Sequence, residues 1–158
     1  MARYYLLLLF PLFSGALSAQ SDTEVAACLR ACLQVPELEA AFTQEWGALR
    51  PLYLRKRENP SIGSRSTDKQ FDLLTAADFR SLPWEVIPVT REDIQNLPLE
   101  EAEFGILEAG IEFRGERATA GLFINLPRYP RQWMSCSFLL QKEGGQWLIL
   151  EKSIEVLP

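Results

Sequence analysis

Strict alternation of apolar and polar residues in the C-terminal third of the chain constrains the fold more than any other feature of the sequence. Residues 118–126 and 134–140 carry an apolar side chain at every second position. Alternate side chains share one face of a β-strand, and the dipeptides Gly115-Glu116 and Gly144-Gly145 are typical of the tight turns that join antiparallel strands. We therefore predict that residues 104–156 form an antiparallel meander.

The first and last strands of this meander depart from simple alternation. In the first, Phe104 to Arg114, the apolar positions change phase, and Gly110 at that point predicts a β-bulge. The last strand, Trp147 to Val156, begins with four consecutive apolar residues, so that both of its faces are apolar. We expect the second face of the sheet to be covered by the middle of the chain, by a partner or by a ligand.

Two helices are predicted to precede the meander. Residues 21–24 form a capping-box pattern, and apolar residues then recur at helical spacing from Val25 to Cys32. Pro36 favours the start of a second helix that ends near Trp46. Two strand-like segments and two capped turns follow, at residues 49–57, 84–89, 75–78 and 90–93. These patterns predict an α+β fold, with N-terminal helices packed on a curved antiparallel sheet.

The N-terminus has the pattern of a secretory signal peptide: one positive charge, an apolar stretch from Tyr4 to Phe13, and small residues up to Ala19. The apolar stretch is shorter than the roughly 20 residues that span a bilayer, so we expect no stable membrane span after cleavage. The sequence thus predicts a signal peptide at residues 1–19, a single α+β domain at residues 20–158, and a secreted or periplasmic location. It contains no usable Asn-x-Ser/Thr acceptor, which favours a bacterial protein.

Charge and residue content exclude several classes of function. Asp and Glu outnumber Lys and Arg by 21 to 16, and a net charge of −5 repels a phosphate backbone, so nucleic acid is not an expected partner. The chain contains no histidine, which excludes Ser-His-Asp catalysis, Cys-His catalysis and histidine-ligated zinc. It also lacks a calcium-loop motif. We expect no metal and no cofactor.

Three cysteines, Cys28, Cys32 and Cys136, allow at most one internal disulfide. Cys28 and Cys32 lie one turn apart on the first helix, where Cβ atoms are about 5–6 Å apart, and a disulfide requires roughly 3.8 Å. Either of them can instead reach Cys136, so that Cys32–Cys136 or Cys28–Cys136 joins helix to sheet. The alternative, three buried and inert thiols, stays open.

The two C-terminal hairpins resemble those of a known superfamily. The segment F-L-L-Q-K-E-G-G-Q-W-L-I-L-E-K resembles the closing hairpin of nuclear-transport-factor-2-like and cystatin-like proteins, in which an acidic-glycine turn precedes a strand that starts with Trp. The preceding E-F-R-G-E-R-A-T-A-G-L-F hairpin is similar to that of uncharacterised secreted bacterial proteins of this kind. The resemblance covers residues 104–156 and implies an α+β fold. It implies no single function, because such folds host enzymes, binding modules and assembly factors.

Basic and aromatic side chains cluster at two places, and these are the candidate binding residues. They are Tyr53, Arg55 and Arg57 on the first strand-like segment, and Arg128, Tyr129, Arg131 and Trp133 in a late loop. Arginine forks form bidentate hydrogen bonds and aromatic rings stack on a bound surface. We predict that these residues bind an unknown protein or a small apolar or acidic ligand.

Carboxylate pairs offer the alternative, a hydrolase or isomerase with a cone-shaped pocket. Acid–base catalysis needs two carboxyl groups in different surroundings around one cleft. The candidate pairs are Glu108 with Glu112, and Asp72 with Asp78. Acidic residues more often cap helices or face solvent. The sequence therefore favours a small exported binding domain without catalytic residues over the enzyme.

Thiol counting tests the predicted disulfide. A bridge from the first helix to Cys136 predicts one reactive thiol per chain in the denatured, unreduced protein, whereas an unbridged chain has three. The Cys136→Ser variant serves as the control, because it leaves two reactive thiols in either case. The count therefore rises from one to two if the bridge forms, and it falls from three to two if every cysteine is reduced.

Overall fold

The computed structural model describes residues 23–56, 69–98 and 103–158, which form an α+β fold, as predicted. The α-helices are α1 (Glu24–Leu33), α2 (Pro36–Trp46) and α3 (Arg91–Gln95), and a 3-10 helix spans Ala76–Phe79. The strands are β1 (Leu52–Lys56), β2 (Val86–Pro88), β3 (Gly105–Arg114), β4 (Arg117–Asn125), β5 (Trp133–Glu143) and β6 (Gln146–Leu157). The predicted signal peptide at residues 1–19 lies outside the described residues.

Both N-terminal helices form where the sequence predicts them. The Thr23 hydroxyl caps α1 by accepting a hydrogen bond from the Ala26 amide at 3.1 Å. Pro36 opens α2, because the first helical residue needs no N–H donor. Gly47 ends α2 with a φ of 82°, a left-handed conformation that favours glycine.

The strands form one mixed sheet in the order β2-β1-β3-β4-β5-β6. β3 to β6 are antiparallel neighbours in sequence order, which confirms the meander. β1 runs parallel to both β2 and β3, so the prediction of an antiparallel sheet is wrong for this side. Parallel neighbours need a crossover of a dozen or more residues, and the long connections at residues 57–85 and 89–104 provide it.

The predicted bulge at Gly110 is wrong. β3 and β4 pair without interruption from Ile106 opposite Asn125 to Arg114 opposite Arg117. The apolar positions of β3 change phase because the strand contributes to two separate clusters. Ile106 belongs to a small cluster on one side of the sheet, whereas residues 107, 109 and 111 belong to the main core on the other side.

The irregularity lies in β6 instead. Leu140 of β5 opposes Ile149, whereas the adjacent Leu139 opposes Glu151, so that Leu150 is an extra residue in β6. Side chains of β6 alternate between the two faces up to Ile149, and after the extra residue the alternation starts again at Glu151. The bulge therefore explains why the four apolar residues 147–150 serve both faces.

α1 and α2 pack on one side of the sheet, which we call the inner face. Every second residue of β4 and β5 is buried there, as predicted: Ala118, Ala120, Leu122, Ile124, Met134, Cys136, Phe138 and Leu140. The Phe42 ring of α2 meets the rings of Trp46 and Trp84 edge-on, with centroids 4.7 and 5.2 Å away. The Trp84 indole N–H donates to the Leu33 carbonyl at 2.9 Å, so the aromatic cluster is fixed to the end of α1.

The opposite side of the sheet, the outer face, is covered only in part. Ile94 of α3 packs with Phe104 and Ile106, and Tyr53 and Leu97 lie against them. This cluster covers β1 and β3. Neither buried cluster of residues 23–56, 69–98 and 103–158 includes an outer-face side chain of β4, β5 or β6.

The three cysteines lie buried between α1 and β5 as free thiols. Burial raises the pKa of the Cys136 thiol to about 12. Burial also raises the pKa of Cys32, and the neighbouring Cys28 side chain adds to that increase. Protonated thiols are poor nucleophiles, so Cys32 and Cys136 are unreactive in the reduced folded protein, and Cys28 is fully buried beside them. The Cys32–Cys136 or Cys28–Cys136 bridge stays a prediction.

Glu24 connects the start of α1 to the last hairpin. Its carboxylate accepts hydrogen bonds from the Lys142 ammonium and from the Trp147 indole N–H, the latter at 2.8 Å. The bond from Lys142 lowers the pKa of Glu24 below its ordinary value of 4.5, against the opposing effect of burial, and the Trp147 N–H lowers it further.

We expect the Glu24→Gln variant to lose stability only where Glu24 is ionised. A lowered folded-state pKa stabilises the protein above the unfolded value of 4.5, and this contribution is lost as the pH falls through the folded-state pKa. For a partly exposed pair we expect a loss of about 0.5–1 kcal/mol at neutral pH. Urea unfolding from pH 7 to pH 3 measures it, with Glu45→Gln as the helical control. A difference that stays constant with pH contradicts the prediction.

Candidate functional site

The uncovered outer side of β4, β5 and β6, which we call the open face, exposes large apolar side chains. Of the six large hydrophobic side chains that are exposed in the described residues, Trp133 of β5 and Leu148 of β6 lie on this face. Trp133 and Leu148 are 42% and 43% exposed on this face, and the bulge residue Leu150 is 50% exposed. A concentrated apolar patch on one surface is typical of a binding site.

Trp133 is the largest side chain of the open face, and its neighbours hold it in place. Its ring meets the Phe123 ring at 5.1 Å with an interplanar angle of 61°. On its two sides the backbone of Trp133 pairs with Asn125 and Leu157. An exposed indole that is fixed in this way loses little conformational entropy on binding.

The loop before Trp133 carries the other predicted binding residues of this region. The Tyr129 amide donates to the Leu126 carbonyl at 2.7 Å, and the Gln132 amide donates to the Tyr129 carbonyl at 3.0 Å. Two consecutive turns therefore shape the loop, and Tyr129 is 40% exposed on it. Arg131 is also exposed.

Arg128 belongs to a small ionic network at the base of this loop. Its guanidinium pairs with one carboxylate oxygen of Glu103, and the Arg50 guanidinium pairs with the other. Arg50 is largely buried, whereas Arg128 and Glu103 are exposed. The outer end of this network is therefore accessible to a partner.

The first predicted basic-aromatic cluster lies apart from the open face. The Tyr53 ring packs edge-on against Phe104 at 4.7 Å, and Arg55 Nε donates to Glu108 Oε1 at 2.9 Å. Both residues lie on β1, where α3 and its flanking residues cover the outer face. Arg57 lies outside the described residues. The structure therefore assembles Arg128, Tyr129, Arg131 and Trp133 beside one surface and does not bring Tyr53 and Arg55 to it.

The carboxylates of the enzymatic alternative do not meet in one cleft. Glu108 pairs with Arg55, and Glu112 pairs with Arg114 at 3.0 Å. Asp78 is fully buried, and its Oδ2 accepts hydrogen bonds from the Thr75 amide and hydroxyl at 2.8 and 3.1 Å, which caps the 3-10 helix. Asp72 is exposed on a different surface.

A cavity of about 640 Å³ lies at the carboxyl ends of β1 and β2. Apolar residues form much of its wall, and Arg55, Asp72 and Asp93 are among its polar residues. The Thr90 hydroxyl and amide donate to Asp93 and lower the pKa of that carboxyl, so Asp93 stays ionised as the capping residue of α3. Sequence patterns do not reveal this cavity, because it forms where two parallel strands end and β1 and β2 were expected in an antiparallel sheet.

A shallower depression of about 220 Å³ lies on the open face itself. Its wall includes Thr119, Ser137, Leu139, Glu151 and Ser153. It follows a row of small residues, because Gly110, Gly121, Ser137 and Ser153 pair in succession across four strands. The open face therefore combines a hydroxyl-lined depression with an apolar margin.

In comparisons with protein-family models, curated proteins and solved structures, nothing matches this chain. The resemblance of the C-terminal hairpins to nuclear-transport-factor-2-like and cystatin-like proteins stays a prediction. Among the described residues, no cluster of three or more cysteine, aspartate or glutamate side chains is arranged to hold a metal ion. No described helix has both the length and the apolar character needed to cross a bilayer.

We expect the double substitution Arg128→Ala and Arg131→Ala to change the free energy of unfolding by less than about 1 kcal/mol, because exposed ion pairs contribute little. The same variant should retain less of a bound partner, since it removes two arginines beside the open face. Thermal unfolding and partner capture measure the two effects. Arg114→Ala with Arg117→Ala, at an exposed hairpin, is the matched control. A large loss of stability would show that the loop arginines are structural.

Proposed function

We propose that this protein is a small exported binding domain without catalytic residues, and that the open face and the adjoining loop at residues 127–133 hold a protein partner. The observation that carries the proposal is the exposed Trp133 ring, fixed on Phe123 at the margin of an uncovered sheet face. Secretion or a periplasmic location rests on the predicted signal peptide at residues 1–19.

The composition of this surface favours a protein over a small ligand. Tryptophan, tyrosine and arginine are enriched at the centres of protein interfaces, and Trp133, Tyr129, Arg128 and Arg131 lie together here. The open face is broad, and its depression is shallow, whereas small molecules bind in concave pockets that enclose most of their surface. The flat side of three paired strands suits a second folded surface.

The alternative hydrolase or isomerase has less support. Of its four candidate carboxylates, Glu108 and Glu112 belong to separate ion pairs, Asp78 caps the 3-10 helix, and Asp72 lies in the wall of the cavity at the ends of β1 and β2. Acid–base catalysis needs two carboxyl groups around one bound substrate. The other carboxylate in the wall of that cavity, Asp93, already accepts hydrogen bonds from the Thr90 amide and hydroxyl at the start of α3, so neither predicted pair is assembled there.

Partner capture with surface variants tests the proposal. The purified protein is immobilised and exposed to an extract of the cells that secrete it, and Trp133→Ser and Leu148→Ser are compared with the wild type. Leu73→Ser is the matched control, because Leu73 is also exposed, at 60%, but lies outside β4–β6. We expect each open-face variant to retain much less partner, since removing a hot-spot aromatic costs about 2 kcal/mol or more of binding energy.

Two results contradict the proposal. Equal retention by Trp133→Ser, Leu148→Ser and Leu73→Ser would show that the partner binds elsewhere. Retention of nothing beyond the bare matrix by the wild type would show that the protein does not act by holding a partner. Far-ultraviolet circular dichroism of each variant establishes that the substituted chains are folded.

A further inference from the structure

Among the described strands, β6 is an edge of the sheet. It is the last strand in the sheet order and, with 12 residues, it is four times as long as β2 at the other edge, which has 3. β2 ends in Pro88, and proline and shortness both protect an edge against pairing with another chain. A strand at an edge turns the N–H and C=O groups of every second residue away from its neighbour. Along β6, those groups lie at the margin of the molecule.

The C-terminal part of β6 has the regular geometry that an added strand requires. From Glu151 to Leu157 it pairs with β5 without a register shift, and the bulge at Leu150 lies before this segment. Lys152 is the one basic residue of the segment, and its ammonium donates to Glu37 of α2 at 2.6 Å. That lysine is held over the inner face, so it does not extend as a free charge that repels a pairing chain.

The two sides of this segment differ in chemistry. On the outer side lie Glu151, Ser153 and Glu155, and in the described residues no cation pairs with either glutamate. On the inner side lie Ile154, which is partly buried against the core, and Val156, which is 40% exposed. The edge therefore presents unpaired acids on one side and an extension of the core on the other.

We propose that the edge at residues 151–157 accepts an extended segment of the partner as a further strand, and that this segment alternates between basic and apolar residues. Side chains directly opposite each other on adjacent strands lie about 4.5–5.5 Å apart at Cβ. Lysine or arginine opposite Glu151 and Glu155 neutralises their charge, and apolar residues opposite Ile154 and Val156 complete the edge of the core. This inference rests on the proposed function and specifies how the partner is held.

A second copy of the chain is a poorer occupant of this edge. Antiparallel self-pairing centred on Ser153 puts Glu151 opposite Glu155, and pairing centred on Lys152 puts two lysines together. Pairing centred on Ile154 opposes no like charges, but it leaves Glu151 opposite Leu157 and Lys152 opposite Val156, without charge partners. Each copy also brings a net charge of −5, and like charges across an interface are unfavourable. The basic-apolar partner meets none of these repulsions.

Binding of defined peptides tests the proposal. The probe is a fluorescein-labelled synthetic peptide of alternating Lys and Val, long enough to pair with residues 151–157, and fluorescence anisotropy measures its Kd for the full folded protein. We expect saturable binding that weakens strongly when Glu replaces Lys, or when the same residues are arranged as a Lys block followed by a Val block. Two further peptides carry N-methyl groups on every second amide, one on the odd-numbered and one on the even-numbered residues. One of them should lose binding and the other should keep it, because only every second amide of an added strand points toward β6.

Charge reversal on the protein locates the site. We expect Glu151→Lys with Glu155→Lys to weaken binding of the Lys-Val peptide by about tenfold or more and to create binding of the Glu-Val peptide. Glu116→Lys with Glu143→Lys makes the same change in net charge at the hairpin turns and is the matched control. Circular dichroism checks the fold, and the gain of binding to the Glu-Val peptide can occur only in a folded variant.

Several results would overturn the proposal. One is that no saturable binding is seen up to millimolar peptide, and another is that the two double variants have equal effects. The others are that the alternating and block peptides bind equally well, and that amide methylation does not change binding.

A dimer in sedimentation equilibrium that the Glu151→Lys, Glu155→Lys variant abolishes would assign the edge to a second copy. If partner capture depends on Trp133 while the peptides fail to bind, the proposed function stands and only this strand pairing is wrong. If peptides bind at β6 while capture is independent of Trp133 and Leu148, the proposed open-face function fails instead.

Discussion

The packing of α1 on the inner face of the meander is the interaction on which the rest of the structure depends. α1 buries Val25, Leu29 and Cys32 completely, and the sheet buries every second residue of β4 and β5 beneath the helices. Burying a large aliphatic or aromatic side chain contributes about 1.5–3 kcal/mol, so this layer is a major source of stability. It also fixes the strand register, because a shift by one residue would turn the whole apolar row toward water.

That packing decides which surface is left for binding. Both long helices come first in the chain and occupy the inner face, and among the described residues the segment between β2 and β3, with α3, packs on the outer face. This segment covers β1 and β3. The turn between β5 and β6 is tight, with the left-handed glycines Gly144 and Gly145 at φ of 57° and 83°, and no described segment packs over the outer side of β4, β5 and β6. The open face is therefore a consequence of element order.

The parts of the fold that local patterns encode were predictable. The period of two predicted the meander, and Pro36 predicted the start of α2 through its backbone preference. The capping-box pattern at residues 21–24 located the start of α1 only approximately, because the residue that caps the helix is Thr23. Strand direction depends on long connections, so the parallel pairing of β1 and the cavity at its carboxyl end were not predictable. The same distinction holds for the candidate site. Residues 128–133 are neighbours in sequence, so their grouping was predictable. The pairing of Arg55 with Glu108 was not predictable, because it joins residues that are 53 positions apart.

The bulge at Leu150 determines the character of the open edge. Trp147 and Ile149 turn toward the core, so an uninterrupted strand would also have turned Glu151 and Glu155 inward, toward Glu37 of α2. Carboxylates are costly to bury without partners, and the same strand would have left Ile154 and Val156 on the outer face. One extra residue reverses this arrangement, because side-chain direction alternates along a strand. Lys152 thereby reaches Glu37 on the inner side, and the two glutamates face solvent on the outer side. The bulge residue itself is an apolar Leu that is half exposed, so the edge carries an exposed apolar side chain directly before the segment that presents its two glutamates.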